Sequence, residues 1–163
     1  MDANTNLMTH RLYLDSHFEK TANLFCNATG AATTKTSSKY ILGSWYEGYL
    51  YCLLLGIKTN NRIPRKGKRL DKAPHWSDKQ LQQYKYAISI LLTKNDVINE
   101  LNLSNRSSIK ENFKSIEDTL DGVKKICDEY SNGGLSYIAD LYEKDDTIFS
   151  SYNCLKTIYE EAK

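Results

Sequence analysis

The chain has 163 residues, of which only two are Pro and eight are Gly. This length favours one domain, and this composition favours long helices over a turn-rich β fold. Its apolar runs fall far short of the ~20 residues that a membrane span requires, and its polar start has no signal-peptide core. We therefore expect a cytoplasmic protein with a disordered N-terminus at residues 1–10 and a single helical domain at residues 11–163.

The first part of the domain is predicted to contain two helices. Apolar residues recur every three or four positions across residues 11–28, which predicts a helix, although the alternation in the opening RLYLD also allows a short strand. Residues 30–39 are small and polar, as is typical of a loop. Residues 43–57 are apolar nearly all round, which predicts a helix buried on most sides. Ser44 can cap its start and Gly56 can end it.

Two shorter helices are predicted next. Ser77 precedes an apolar stripe, and Gln80 stands three residues on, which is the spacing of a capping box. Asn95 is the predicted cap of a short helix that follows.

The longest predicted helix spans residues 107–132 and carries a heptad pattern of apolar residues. The heptad positions are Ile109, Phe113, Ile116, Leu120, Val123, Cys127 and Tyr130. Such a stripe forms the core of a bundle or docks onto a partner coiled coil, and we favour the core. The Asn132-Gly133-Gly134 triplet predicts a helix end, and two further helices are expected at residues 135–142 and 148–159.

Together these patterns predict an all-α fold. We expect a compact bundle of six to seven helices around the buried hydrophobic helix at residues 43–57, with one long helix at residues 107–132.

The four cysteines give a second indication of the cellular environment. They are widely spaced and form no C-x-x-C pair: Cys26, Cys52, Cys127 and Cys154. We interpret them as buried thiols in a reducing compartment, the alternative being a secreted domain with two disulfides.

The charge of the chain is concentrated in Lys58–Lys72, which we call the basic segment. It holds seven cations and one acid: Lys58, Arg62, Arg65, Lys66, Lys68, Arg69 and Lys72, against Asp71. Its net charge is +6, whereas the rest of the chain sums to −4. Because so many like charges do not share a core, we expect Arg62, Arg65, Lys66, Lys68 and Arg69 to be exposed.

A cationic strip of this kind is typical of a surface that binds phosphates, and the neighbouring His75 and Trp76 can stack on bases. A docking surface for acidic protein and a solvated connector remain open as alternatives.

The sequence contains no recognisable catalytic site. The stretch from Gly30 to Thr36 lacks the second glycine of a phosphate loop, and His10 and His17 have no third ligand nearby in sequence. The acids around Asp145 are typical of helix starts. We therefore predict no catalytic residue, no metal, no cofactor and no enzyme activity.

The chain contains the stretches GSWYEGYLYCLLLGIKTNNRIP, from Gly43 to Pro64, and EYSNGGL, from Glu129 to Leu135. These two stretches resemble small bacterial proteins of DNA-modification and phage-defence loci, including accessory proteins of DNA phosphorothioation systems. The residues that match are Glu47, Leu55-Gly56, Lys58, Arg62 and Pro64. The resemblance implies a non-catalytic partner of a larger ATPase, nuclease or modification enzyme.

The leading functional hypothesis is therefore an accessory subunit of a bacterial anti-phage defence complex. It would bind a larger partner protein and contact DNA or RNA through the basic segment. The competing hypothesis is a stand-alone nucleic-acid-binding regulator, dimeric through the heptad helix.

Overall fold

The computed structural model describes residues 7, 11–26, 42, 44–70, 77–104, 114–151 and 153–163. Six α-helices lie within these ranges: α1 (Glu19–Phe25), α2 (Trp45–Lys58), α3 (Asp78–Leu91), α4 (Asn95–Glu100), α5 (Lys114–Lys144) and α6 (Cys154–Glu161). Short 3-10 turns precede α1 and follow α5. The described ranges contain isolated β-bridges but no strand, so the predicted all-α class is confirmed.

The centre of the molecule is the packing of α2 against α5. The buried hydrophobic helix was predicted correctly, since Tyr49, Cys52, Leu53 and Leu55 of α2 have no exposed surface. Tyr84 and Leu91 of α3 are also fully buried in the same core. Burial of side chains on most sides of α2 removes apolar surface from water and stabilises the fold.

Glycines allow α2 and α5 to approach backbone to backbone. A Cβ atom built at Gly134 would lie 2.0 Å from the carbonyl oxygen of Cys52, and one at Gly56 would lie 2.0 Å from that of Tyr130. Neither glycine ends a helix. The predicted stop at residues 132–134 is wrong, because α5 runs through it to Lys144 and includes the separate helix predicted at residues 135–142.

The capping predictions hold at two helix starts and fail at a third. The Ser44 side chain accepts a hydrogen bond from the Glu47 amide, and Ser77 and Gln80 form the expected capping box. Asn95 is instead the first residue of α4, and Lys94 precedes it.

Residues 11–15 are extended rather than part of the predicted helix. Leu12 and Leu14 are buried while Arg11 is exposed and Tyr13 is half-buried, which is the alternation of a strand. One bridge joins Asp15 to Arg69. Within residues 11–26 helical structure begins at Ser16, and α1 ends at Phe25.

The helix predicted at residues 148–159 also divides. A 3-10 turn covers Asp146–Ser150, and α6 begins at Cys154.

Four heptad residues whose side chains the structure describes belong to the core of this chain. Val123, Cys127 and Tyr130 are buried, and Leu120 is partly buried against them. Phe113, Ile109 and the predicted start of the helix at Ser107 lie outside the described residues.

The cysteines are buried free thiols, as we favoured. Burial raises the pKa of Cys26 to about 12 and that of Cys52 well above its ordinary value. Thiols with such high pKa values are poor nucleophiles at neutral pH.

None of the described helices is long and apolar enough to cross a membrane. Of residues 1–10, for which we predicted disorder, the structure describes only Leu7, whose side chain is buried.

The close crossing of α2 and α5 can be tested by adding one methyl group. Gly134→Ala should destabilise the protein by about 3 kcal/mol, because its Cβ would meet backbone that cannot move aside without separating the helices. Gly122→Ala on the same helix is the matched control. Its Cβ would meet only the tip of the Leu101 side chain, so improved helix propensity should offset the contact. Urea denaturation of both variants measures the difference, and equal stability would show that the crossing is not tight.

Candidate anion-binding cleft

The middle of α5 contains buried carboxylates. Every residue from Ile126 to Leu135 is buried, including Asp128, which is 0% exposed, and Glu129, which is 4% exposed. Removing a carboxylate from water costs several kcal/mol unless cations and hydrogen bonds compensate. The compensating groups come from the basic segment, whose residues 61–70 form no helix and cross this part of α5, where the Ile63 amide donates to the Glu129 carbonyl at 3.0 Å.

Arg62 pairs with two carboxylates, those of Glu100 and Glu129. Its Nε atom donates to Glu129 at 2.7 Å, and its two Nη atoms donate to the two carboxylate oxygens of Glu100 at 2.5 and 2.9 Å. The hydrogen bond to Glu100 raises the pKa of Arg62, and the same bond lowers the pKa of Glu100. Arg62 thereby ties the basic segment to both α4 and α5.

Arg65 pairs with the second buried carboxylate. Its Nη2 atom donates to Asp128, and its guanidinium lies 5.0 Å from the centre of the Tyr13 ring. Asp128 also accepts a 2.7 Å hydrogen bond from the Tyr49 hydroxyl and one at 3.3 Å from the Tyr13 amide. Burial, reinforced by the Asp128 charge, raises the pKa of Tyr49 well above its ordinary value.

The Asp15 carboxylate holds the basic segment at Lys66 and Gly67. It accepts the backbone N–H groups of His17, Lys66 and Gly67 at 3.0, 3.2 and 2.8 Å. Burial alone would raise the pKa of Asp15, but the hydrogen bonds outweigh burial and leave this pKa below its ordinary value. The Asp15 amide in turn donates to Asn132 of α5 at 3.0 Å.

Lys58 has a structural role at the near end of the segment. Its ammonium group donates to the carbonyl oxygens of Tyr159 and Glu160 and lies 4.5 Å from the centre of the Tyr159 ring. A cation at the C-terminus of α6 also interacts favourably with the helix dipole.

An open cleft of about 460 Å³ lies where the extended N-terminal segment, the basic segment and α5 meet. We call it the basic cleft. Seven residues line it: Arg11, Tyr13, Arg65, Arg69, Asp121, Lys124 and Asp128. The four cations exceed the two carboxylates, so the lining carries a net positive charge at neutral pH. Lys124 pairs with Asp121 at 2.8 Å.

The structure therefore sorts the seven predicted site residues into groups. Lys58, Arg62 and Arg65 hold the fold together, and of these only Arg65 also lines the basic cleft. Arg69 lines it as well, Lys66 and Lys68 are exposed, and Lys72, like His75 and Trp76, lies outside the described residues.

The predicted exposure of Arg62 and Arg69 is wrong. Arg62 is 25% exposed and Arg69 is half-buried. The reason is that Glu129 on a distant part of the chain neutralises Arg62, which a count of charges within the segment cannot reveal.

Arg11 and Lys124 were not predicted as site residues. Arg11 begins the alternating RLYLD stretch, where the possibility of a strand was the available signal. Lys124 lies on α5, about 50 residues after the end of the basic segment, and nothing in the local sequence links the two.

Within the described residues no group of three or more His, Cys, Asp or Glu side chains is arranged to hold a metal ion. Comparisons with protein-family models, curated proteins and solved structures found no significant match. The function has to be argued from the residues themselves.

Removing the Arg62 guanidinium should leave the buried Glu129 carboxylate without this cation and so lower the free energy of unfolding. We expect Arg62→Met to destabilise the protein by about 3 kcal/mol. This value is at the lower end of the cost of breaking a buried ion pair, because Lys125 still lies 3.8 Å from Glu129. Adding Glu129→Gln should recover part of this loss. Lys68→Met, at an exposed position in the same segment, is the control and should stay within about 0.5 kcal/mol. Equal unfolding free energies for Arg62→Met and Lys68→Met would refute the structural role of Arg62.

Asp15 should make stability depend on pH in the acid range. Because its pKa in the folded state is lowered, its contribution is complete above the unfolded-state pKa of about 4 and is lost as pH falls through the folded-state value. The stability advantage of the wild type over Asp15→Asn should therefore be constant from pH 6 to 8 and shrink below about pH 4. Urea denaturation across this range measures it, with Asp140→Asn at an exposed site of α5 as control. An advantage that grows on acidification would contradict the assignment.

Proposed function

We propose that this protein is a non-catalytic nucleic-acid-binding subunit whose basic cleft contacts the phosphate backbone. The observation that carries the proposal is the convergence of Arg11, Arg65, Arg69 and Lys124 from three separate parts of the chain on one open cleft. Cations that converge on a concave surface raise the local concentration of anions and strengthen their binding.

The fixed position of Arg65 supports phosphate as the ligand. One of its Nη atoms is bound to Asp128, and its plane is held near the Tyr13 ring. An arginine has five N–H donors in a rigid fork, so the pairing with Asp128 leaves other donors for a second anion. The side chain is 36% exposed, which makes those donors accessible.

The exposed lysines beside the cleft extend the positive surface. Lys66 and Lys68 are exposed on the same stretch of chain that supplies Arg65 and Arg69. A row of cations along one non-helical stretch of chain suits a linear polyanion better than a single small anion.

We further propose that the chain works as an accessory subunit of a bacterial anti-phage defence complex, with a larger ATPase, nuclease or modification enzyme as its partner. The support is the resemblance described above together with one structural point. The two segments that carry the resemblance pack directly on each other, through Gly56 against Tyr130 and Gly134 against Cys52. They therefore form one structural unit. A cytoplasmic location follows from this role.

The second candidate is a stand-alone nucleic-acid-binding regulator. It shares the basic cleft, but dimerisation through the heptad stripe is disfavoured, because Val123, Cys127 and Tyr130 are buried within the chain. Recovery of a larger protein with the tagged chain from its native host would favour the accessory role, and recovery of the chain alone as a monomer would favour the regulator.

The nucleic-acid assignment is tested by reversing charge at exposed positions that hold no ion pair in the described structure. The triple variant Arg11→Glu, Lys66→Glu, Lys68→Glu should fold normally, since exposed substitutions change stability by only ~0.5 kcal/mol each. It should bind a labelled oligonucleotide more weakly than wild type does. The slope of log affinity against log salt should fall by roughly 1 for each phosphate that the variant no longer neutralises.

The control for this experiment is a second triple reversal of equal charge, Lys79→Glu, Lys144→Glu, Lys163→Glu, at exposed sites that do not line the cleft. It should change binding much less than the first variant does. Equal losses in the two variants would mean that net charge alone drives binding. Unchanged nucleic-acid binding in the first variant, with loss of a protein partner, would make the basic segment a docking surface for acidic protein.

A further inference from the structure

A second concavity, of about 390 Å³, adjoins the basic cleft. We call it the aromatic pocket. It is lined by Asp15, His17, Phe18, Ile63, Pro64, Lys66 and Gly67. The two concavities follow one another along the same pair of segments: Arg11 and Tyr13 line the cleft, whereas Asp15 and His17 line the pocket. The Tyr13 hydroxyl donates to the carbonyl oxygen of Gly67, which joins the lining of one to the lining of the other.

The two concavities differ in charge and in chemical character. The basic cleft has four cations and two carboxylates, whereas the aromatic pocket has one carboxylate, Asp15, and one ammonium group, Lys66, which nearly cancel. The pocket also offers flat and apolar surface. The rings of His17 and Phe18 lie 5.2 Å apart at 74°, and Ile63 and Pro64 complete the wall. The basic cleft favours a phosphate, and the aromatic pocket favours a flat, uncharged group with polar edges.

We infer that the protein binds single-stranded nucleic acid, with backbone phosphates in the basic cleft and one unstacked base in the aromatic pocket. The inference rests on the proposed function and adds to it the class of substrate. In a duplex the faces of the bases are stacked and their edges are paired, so a base reaches such a pocket only when the strand is single or locally opened. Proteins that hold single strands combine a positive groove with aromatic side chains in this way.

The architecture keeps both subsites in a fixed relation. The Asp15 carboxylate accepts the N–H groups of Lys66 and Gly67, and the Ser16 amide donates to the Lys68 carbonyl at 2.8 Å. These bonds hold the N-terminal segment against the basic segment at the boundary between cleft and pocket. A Cβ atom at Gly67 would lie 2.2 Å from a carboxylate oxygen of Asp15, so the absence of a side chain there permits this close approach.

The test compares three fluorescently labelled 12-nucleotide probes by anisotropy: a mixed-sequence single strand, its duplex, and a strand of abasic linkers with the same phosphates. Wild type should bind the single strand more tightly than either other probe. His17→Ala removes an exposed ring and should weaken single-strand binding roughly 5-fold, in line with the removal of one stacked base, while binding of the abasic strand stays the same. His17→Phe keeps a flat ring and should retain the preference.

Tyr86→Ala, which removes an exposed ring on α3, is the matched control and should leave all three affinities unchanged. Phe18→Leu gives an independent measurement at a partly buried position, with thermal melts to establish that it folds. It should lower single-strand binding selectively, as His17→Ala does.

The outcomes separate this inference from the proposed function. If all three probes bind equally and His17→Ala and Phe18→Leu change nothing, while the double variant Arg11→Glu, Lys68→Glu, which leaves the lining of the aromatic pocket unchanged, weakens every probe, the pocket assignment is overturned and phosphate binding stands. If no probe binds, or if this double variant binds every probe as wild type does, both are overturned.

Discussion

The arrangement of this protein depends on the burial of two adjacent carboxylates in the middle of α5. Asp128 and Glu129 are almost completely removed from water, and each is compensated by an arginine of the basic segment. An uncompensated carboxylate there would cost several kcal/mol. The path of residues 62–65 is therefore determined by α5, and the concentration of positive charge that dominates the sequence is in part a requirement of the fold.

Close backbone contact is what brings these partners within reach. Gly56, Gly133 and Gly134 each lie where a side chain would collide with backbone of another part of the chain. Gly133 lies against Asn61, whose side chain also donates to the Gly133 carbonyl at 3.0 Å. The chain therefore leaves α2 directly over α5. Arg62, the residue that follows Asn61, is thereby placed within reach of Glu129. Hydrophobic packing and ion pairing are consequences of the same crossing.

Sequence patterns correctly predict the elements that depend on neighbouring residues. They fail to predict the features that are determined by contacts between distant residues. Helical periodicity and the caps at Ser44 and Ser77 were predicted correctly because their signals lie within a few residues. Gly133 and Gly134 are locally a good helix stop because they follow Asn132, and the stop predicted from them is wrong. Their role is to admit α2, which lies some 80 residues earlier. Likewise, the seven candidate site cations gave no indication of which ones face acids, or that Arg11 and Lys124 would join Arg65 and Arg69.

The division of the cations has a consequence for the proposed recognition of nucleic acid. Arg65 is immobilised by Asp128 and Tyr13 before any ligand arrives, so little side-chain entropy remains to be lost when a phosphate binds. Lys66 and Lys68 are exposed and contribute as solvated charges, whose effect depends on counterion release and weakens with salt. The geometry of phosphate binding at the basic cleft would then come from Arg65, which the fold needs, and the salt-dependent part of the affinity from Lys66 and Lys68, which the fold does not need. In that arrangement, substitutions that impair folding and substitutions that impair binding overlap at Arg65 and separate elsewhere along the basic segment.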